Sequence, residues 1–167
     1  MRASLILTVS GPDRPGLVES LADVVTQHGG NWEESRMSRL AGQFAGVVHV
    51  TVAPEKLDVV ASAARSIEGL EVSVRSGDSA GSEGKHFELE VVGADHEGIV
   101  SRISSVLASG GVSIDELWTG REEAPHAGGM LFRARATLRA PNVEAIDRVR
   151  DRLEKLASEV MVEIWID

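Results

Sequence analysis

Apolar and polar positions along this chain predict one order of secondary-structure elements, and they predict it twice. Leu5, Leu7 and Val9 share one face of an alternating segment, with Ile6 and Thr8 on the other; Phe87, Leu89 and Val91 do the same against Glu88 and Glu90. A period of two marks a strand. The spacing then becomes helical in both places: Leu17, Leu21, Val24 and Val25 first, then Ile99, Ile103, Val106 and Leu107. Gly29-Gly30 and Gly110-Gly111 close these helices, where a left-handed cap favours glycine. Hairpins follow, 31–40 with 44–53 and 112–121 with 130–139. Pro54 and Pro141 then open second helices. Their apolar faces are Leu57, Val60, Ala61, Ala64 and Ile67, and Val143, Ile146, Val149, Leu153 and Leu156. Closing strands span 70–75 and 160–166, with Val160, Val162, Ile164 and Ile166 on a common face.

This order, βαββαβ twice over, predicts an α+β protein made of two ferredoxin-like units, antiparallel sheets with helices on one face. The residues repeat as well as the pattern. Gly11-Pro12-Asp13-Arg14-Pro15-Gly16-Leu17-Val18 recurs as Gly93-Ala94-Asp95-His96-Glu97-Gly98-Ile99-Val100, an offset of 82 (11 to 93). Val24 and Val106, Gly29 and Gly111, and Glu34 and Glu116 keep that register. Ala53-Pro54 meets Ala140-Pro141 at 87 (53 to 140), so the second copy is expected to gain five residues within 120–129. Between the copies, residues 76–84 hold three Gly and three Ser, the composition of a flexible linker. The expected organisation is a first domain at 1–76, a linker at 77–84 and a second domain at 85–167 with an enlarged second hairpin.

Composition narrows the function. The chain of 167 residues has no Cys, which removes disulfides, thiolate metal sites and Cys nucleophiles together and fits a reducing compartment. The start shows no signal-peptide pattern and no segment approaches a membrane span, so the expectation is a cytoplasmic protein. Net charge is −9, with 7 Lys+Arg against 9 Asp+Glu in residues 1–77 and 10 against 17 in residues 78–167. No basic stripe is present to neutralise phosphates, which argues against direct nucleic-acid binding. The five His residues lack metal-ligand spacing, and neither a nucleophile elbow nor a phosphate loop occurs. No catalytic set, metal or cofactor is expected. The charged run 147–155 reads as a solvated helix face with local ion pairs. Trp32 and Trp118 fall four positions apart in the repeat register and are expected in the core or between the copies, with effector stacking as the other use.

The segment after each first strand carries the candidate chemistry. Asp13 and Asp95 stand where a helix N-cap belongs, Pro15 and Glu97 fall in the first turn, and Gly16 and Gly98 occupy helical positions. A helical glycine costs about 1 kcal/mol relative to alanine. Two such glycines admit two explanations: a ligand approaching the backbone where free N–H groups attract carboxylates, or capping with close helix–sheet packing.

The Gly-x-Asp-[Arg/His]-x-Gly-[Leu/Ile]-Val pattern between strand and helix resembles the ACT domain, a small module that binds amino acids and regulates enzymes and transcription. The resemblance covers nearly the whole chain, twice. A tandem pair of this length with no attached enzyme is similar to the glycine cleavage system transcriptional repressor family. Residues 124–133 (Ala-Pro-His-Ala-Gly-Gly-Met-Leu-Phe-Arg) resemble that family's Ala-Pro-x-Ser-Gly-x-Pro-[Leu/Met]-Phe-Arg signature, departing from it at Ala127 and in lacking a proline before Leu131.

The resemblance implies an effector held between paired domains, with contacts at Asp13, Arg14, Pro15, Gly16 and Leu17 with Asn31 and Trp32, and at Asp95, His96, Glu97, Gly98 and Ile99 with Ser113 and Ile114. Asn31, which donates and accepts, suits an amino acid better than Ser113, so the first copy is expected to hold the better site. The partners implied are a small amino-acid effector, a regulatory protein such as a transcription activator, and further copies of the chain. The competing expectation is an interaction or assembly module with no ligand, its oligomerisation insensitive to amino acids.

Overall fold

The computed structural model describes residues 2–77, 83–123, 129–160 and 162–166. The chain divides into two compact units, residues 1–81 and 82–167. The middle of the expected linker and residues 124–128 of the signature-like loop lie outside the described residues.

In the first unit the order is β1 (Ala3–Pro12), α1 (Leu17–Gln27), β2 (Asn31–Leu40), β3 (Gln43–Val52), a single 3-10 turn at Pro54–Lys56, α2 (Leu57–Arg65) and β4 (Glu71–Ser76). The second unit has β5 (Lys85–Ala94), α3 (Ile99–Ser109), β6 (Ser113–Glu123), β7 (Met130–Ala140), α4 (Val143–Val160) and β8 (Val162–Ile166). The sheets run β2-β3-β1-β4 and β6-β7-β5-β8, all neighbours antiparallel. This is the ferredoxin-like order, made twice.

Each sheet buries its helix-facing side. Leu5, Leu7 and Val9 of β1 join Leu17, Leu21 and Val25 of α1, Val48, Val50 and Val52 of β3, and Val60 and Ala64 of α2. Phe87, Leu89 and Val91 play the β1 part in the second core, with Ile103 and Leu107 of α3 and Val149 and Leu153 of α4. No charged or polar residue is buried among the described residues, so apolar burial, at roughly 25 cal/mol per Å², is what holds each unit. Gly29 (φ +71°) and Gly111 (φ +73°) close α1 and α3 in the left-handed region, as expected from the sequence.

Three sequence expectations are corrected. The third strands are related by 88 rather than 87 (Phe44 to Phe132, Val52 to Ala140), because β1 and β5 pair Ala3 with Val52 and Lys85 with Ala140. Pro141 therefore stands where Ala53 does, and Asn142 stands at the place of Pro54. Asn142 starts α4 by accepting the Ala145 N–H on Oδ1 at 2.9 Å, a side-chain cap in place of a proline. Val160 is the last residue of α4, not the first of the closing strand. In the charged run, Asp147 and Arg150 form an i,i+3 pair at 3.8 Å, while Val149 and Leu153 are buried.

Both second strands carry a bulge at the same place, between Trp32 and Glu34 and between Ile114 and Glu116. The extra residue shifts every later side chain to the opposite face. Trp32 precedes the bulge, lies opposite core-facing Val50 and packs partly buried against the first core. Trp118 follows it, lies opposite Arg135 and is 56% exposed on the face without helices. The expectation of a core Trp118 fails for that reason: four positions along the chain include one bulged residue.

Candidate functional site

The loops joining β1 to α1 and β5 to α3 do not form as N-caps built on aspartate. Gly16 (φ +86°) and Gly98 (φ +82°) are themselves the N-caps, in the left-handed conformation, with no side-chain capping bond. Pro15 and Glu97 lie in the turn that precedes them. A Cβ at Gly98 would meet no atom within 4 Å, and at Gly16 only Glu19 Oε2 at 3.8 Å. Both glycines are therefore required by backbone sign, not by helical packing. Close backbone approach occurs elsewhere: a Cβ on Gly11 would fall 2.2 Å from the Gly69 carbonyl oxygen.

Freed from capping, the two aspartates pair with arginines at the far end of the adjoining hairpin. Arg39 Nε lies 2.6 Å from Asp13 Oδ2, and Arg121 Nη2 lies 2.6 Å from Asp95 Oδ2. The loop backbone is tied to the same hairpin, Asp13 N–H donating to the Gly42 carbonyl at 2.9 Å and Asp95 N–H to the Met130 carbonyl at 3.0 Å. Sequence reasoning passes over Arg39 and Arg121. The offset of 82 that aligns the aspartates also aligns these arginines, and that coincidence was the available signal.

Other expected site residues divide by environment. Leu17 and Ile99 are core residues, 3% and 4% exposed. Arg14 donates to the Glu68 carbonyl at 2.6 Å. His96 Nδ1 contacts the Glu97 carbonyl at 3.1 Å, while its Nε2 is buried without a hydrogen-bond partner. A cleft of about 400 Å³ adjoins the first loop, lined by Ser10, Gly11, Pro12, Gln43, Gly69, Leu70 and Glu71. Its volume is in the range of small-ligand sites.

Asn31 and Trp32 do not join this loop. Asn31 pairs with Thr51, which pairs with Ser4, whereas the loop follows Pro12 at the other end of β1. Eight residues of strand separate the two ends, about 26 Å. Ser113 and Ile114 stand likewise at the His86 end of β5, away from Asp95. No single unit offers its loop and the start of its second strand to one small ligand.

At that other end the bulged acids organise polar clusters. Glu33 Oε1 accepts from Asn31 Nδ2 at 2.9 Å and from Thr51 Oγ1 at 2.6 Å. These two bonds, the threonine's first, hold its carboxyl below the ordinary 4.5. Asp115, at the matching bulge, takes Arg139 at 3.1 Å and stands 3.6 Å from His86 Nδ1. Ile114 borders a small apolar crevice of about 20 Å³ beneath α3, too small for an amino acid. In the first unit the matching positions carry Trp32 and Met37, both packed on the core.

Residues 3–75 match the family model of the ACT domain. The first unit is an ACT domain. The second unit repeats the first one's elements and strand order, so the same fold is made twice. It is similar over its whole length to a solved protein of unknown function from Galdieria sulphuraria, at 32% identity and TM-score 0.92, with 98% of that chain covered. It is also similar to a candidate glycine cleavage system transcriptional repressor, at 15% identity and TM-score 0.67, covering 100% of this chain and 97% of that one. At that identity the second likeness is one of fold. No curated protein matches the sequence. Among the described residues, no group of His, Asp and Glu side chains is arranged to hold a metal ion, and no helix is long and apolar enough to cross a membrane.

Proposed function

We propose that this tandem ACT protein is a non-catalytic cytoplasmic regulator that senses a small amino acid, glycine or a near relative, and modulates transcription or an enzyme through protein contact. The observation that carries the reading is the duplicated Asp–Arg pair beside a helix start, Asp13 with Arg39 and Asp95 with Arg121. A zwitterion offers an ammonium to the aspartate and a carboxylate to the arginine, so it can enter such a pair without leaving either charge unmatched. The first N–H groups of α1 and α3 add donors for the carboxylate. The copies differ here: Glu19 occupies the first turn of α1, and α3 has no acidic residue in its first turn. The absence of that glutamate favours the second copy, and Asn31, about 26 Å from the Asp13 loop, does not decide for the first.

Calorimetric titration against glycine, serine and the other amino acids tests the reading. Saturable binding of one amino acid, lost in Asp13→Asn or in Asp95→Asn, supports it and says which copy binds. Silence across the set sinks it. A second reading, a ligand-independent assembly module, draws on the fact that each Asp–Arg pair already satisfies itself. On that reading the same variants lower stability, and self-association ignores every amino acid.

A further inference from the structure

Side chains on the helix-free face of the second unit follow an order that is the same read from either edge once charges are exchanged. Register aligns Trp118 of β6 with Arg135 of β7, Arg135 with Glu90 of β5, and Glu90 with Trp165 of β8. The row across the sheet is therefore Trp–Arg–Glu–Trp. Both tryptophans are unusually open, 56% and 47% exposed. The indole of Trp118 lies over Gly120, its Cη2 atom 2.8 Å from where a Cβ would be. A shallow cleft of about 270 Å³ runs beside it, lined by Glu88, Glu116, Thr137 and Arg135. Arg135 and Glu90 are joined at 3.3 Å in the middle of the row.

We propose that this face is a self-association surface, occupied by the same face of a second copy of the chain. A two-fold axis parallel to the strands, between β7 and β5, lays the row on its own reverse. Trp118 then meets the partner's Trp165, and Arg135 meets the partner's Glu90, with both contacts made twice. The neighbouring rows are compatible: Arg133 falls over the partner's Val92 and Thr137 over the partner's Glu88. Self-complementarity of this kind is what an isologous interface requires. Tryptophan and arginine are also the residues that most often dominate binding energy. Four strands at about 4.8 Å spacing, over roughly eight residues of length, give about 500 Å² per copy. The total near 1,000 Å² is at the lower limit for a specific interface, so the association is concentration-dependent. The proposal is independent of any amino-acid ligand.

The charge order supplies a test that edge-to-edge pairing cannot imitate. Arg135→Glu leaves two acids in the middle of the row, and Glu90→Arg leaves two bases, so each variant repels itself. An equimolar mixture of the two restores both opposite-charge contacts in a heterodimer. Light scattering across a concentration series should show the wild-type mass halved in each variant and recovered in the mixture. Trp118→Ser and Trp165→Ser should each weaken the association about 30-fold. A wild type that is never more than monomeric, single variants that keep the wild-type mass, or a mixture that fails to recover it would each overturn the proposal.

Discussion

Gly98 offers a perturbation whose cost can be worked out from geometry. Its φ of +82° lies where an L side chain is strained, and no atom stands within 4 Å of the position a Cβ would take. Gly98→Ala therefore adds conformational strain and no clash. The strain is roughly 1–2 kcal/mol, offset by about 0.4–1 kcal/mol because alanine restricts the unfolded chain. The net loss is about 1 kcal/mol, or about 4–8 °C in Tm for a unit of this size. Gly98→Asn should lose less, since asparagine tolerates the left-handed region. Gly110→Ala is the contrasting control: φ is −89°, yet its Cβ would fall 2.2 Å from Val149 Cγ2. That loss is steric, about 1–3 kcal/mol, and Val149→Ala should relieve it while doing nothing for Gly98→Ala. Urea titrations of the wild type, the single variants and the two double variants carrying Val149→Ala measure all of this. A Gly98→Ala protein as stable as wild type would refute the backbone argument. If it also lost amino-acid affinity, the glycine would be there to admit a ligand.

Two further outcomes follow from single contacts. Asn142→Ala removes the side-chain cap of α4 and should cost about 1 kcal/mol, with Asn142→Ser retaining most of it; urea midpoints that do not separate the two variants would show that Oδ1 is not the cap. Glu90 is held below the ordinary 4.5 first by its hydrogen bond from Arg133 and then by Arg135. A carboxyl depressed in the folded state contributes stability above its unfolded value, and that contribution is lost as pH falls through the lower folded value. The wild type's advantage over Glu90→Gln should therefore be full at neutral pH and vanish below 4.5; parallel stability curves would contradict it.

How far the fold was legible depended on whether a signal was local. Strand alternation at Leu5, Leu7 and Val9 and helical spacing at Leu17, Leu21 and Val25 are local, and each of these residues is in the core. The bulges at Glu33 and Asp115 are not, because alternation continues on either side and only pairing with the next strand reveals the extra residue. Trp118 was misplaced for that reason. Asp13 has the ordinary look of a helix cap, and what displaces it is Arg39, a cross-hairpin partner beyond any short window. The one-residue error in aligning Pro54 with Pro141 has the same root: two identical dipeptides outweighed a register that only strand pairing defines. In the candidate loops, Gly16 and Gly98 were read as helical positions, whereas their left-handed φ makes them the N-caps. Asn31 lies about 26 Å from the loop of its own unit, a separation that only strand pairing reveals.

Among the described residues the two cores share no side chain, and each is drawn from its own half of the chain. Selection can therefore act on the halves as on two genes. A substitution that loosens one hydrophobic interior removes no side chain from the other, so the two can vary separately. The copies already differ: α4 has 18 residues where α2 has 9, and the second copy's outer face carries a lattice of arginine and glutamate. Duplication inside one chain has here kept the backbone as a common inheritance and left the surfaces free to specialise.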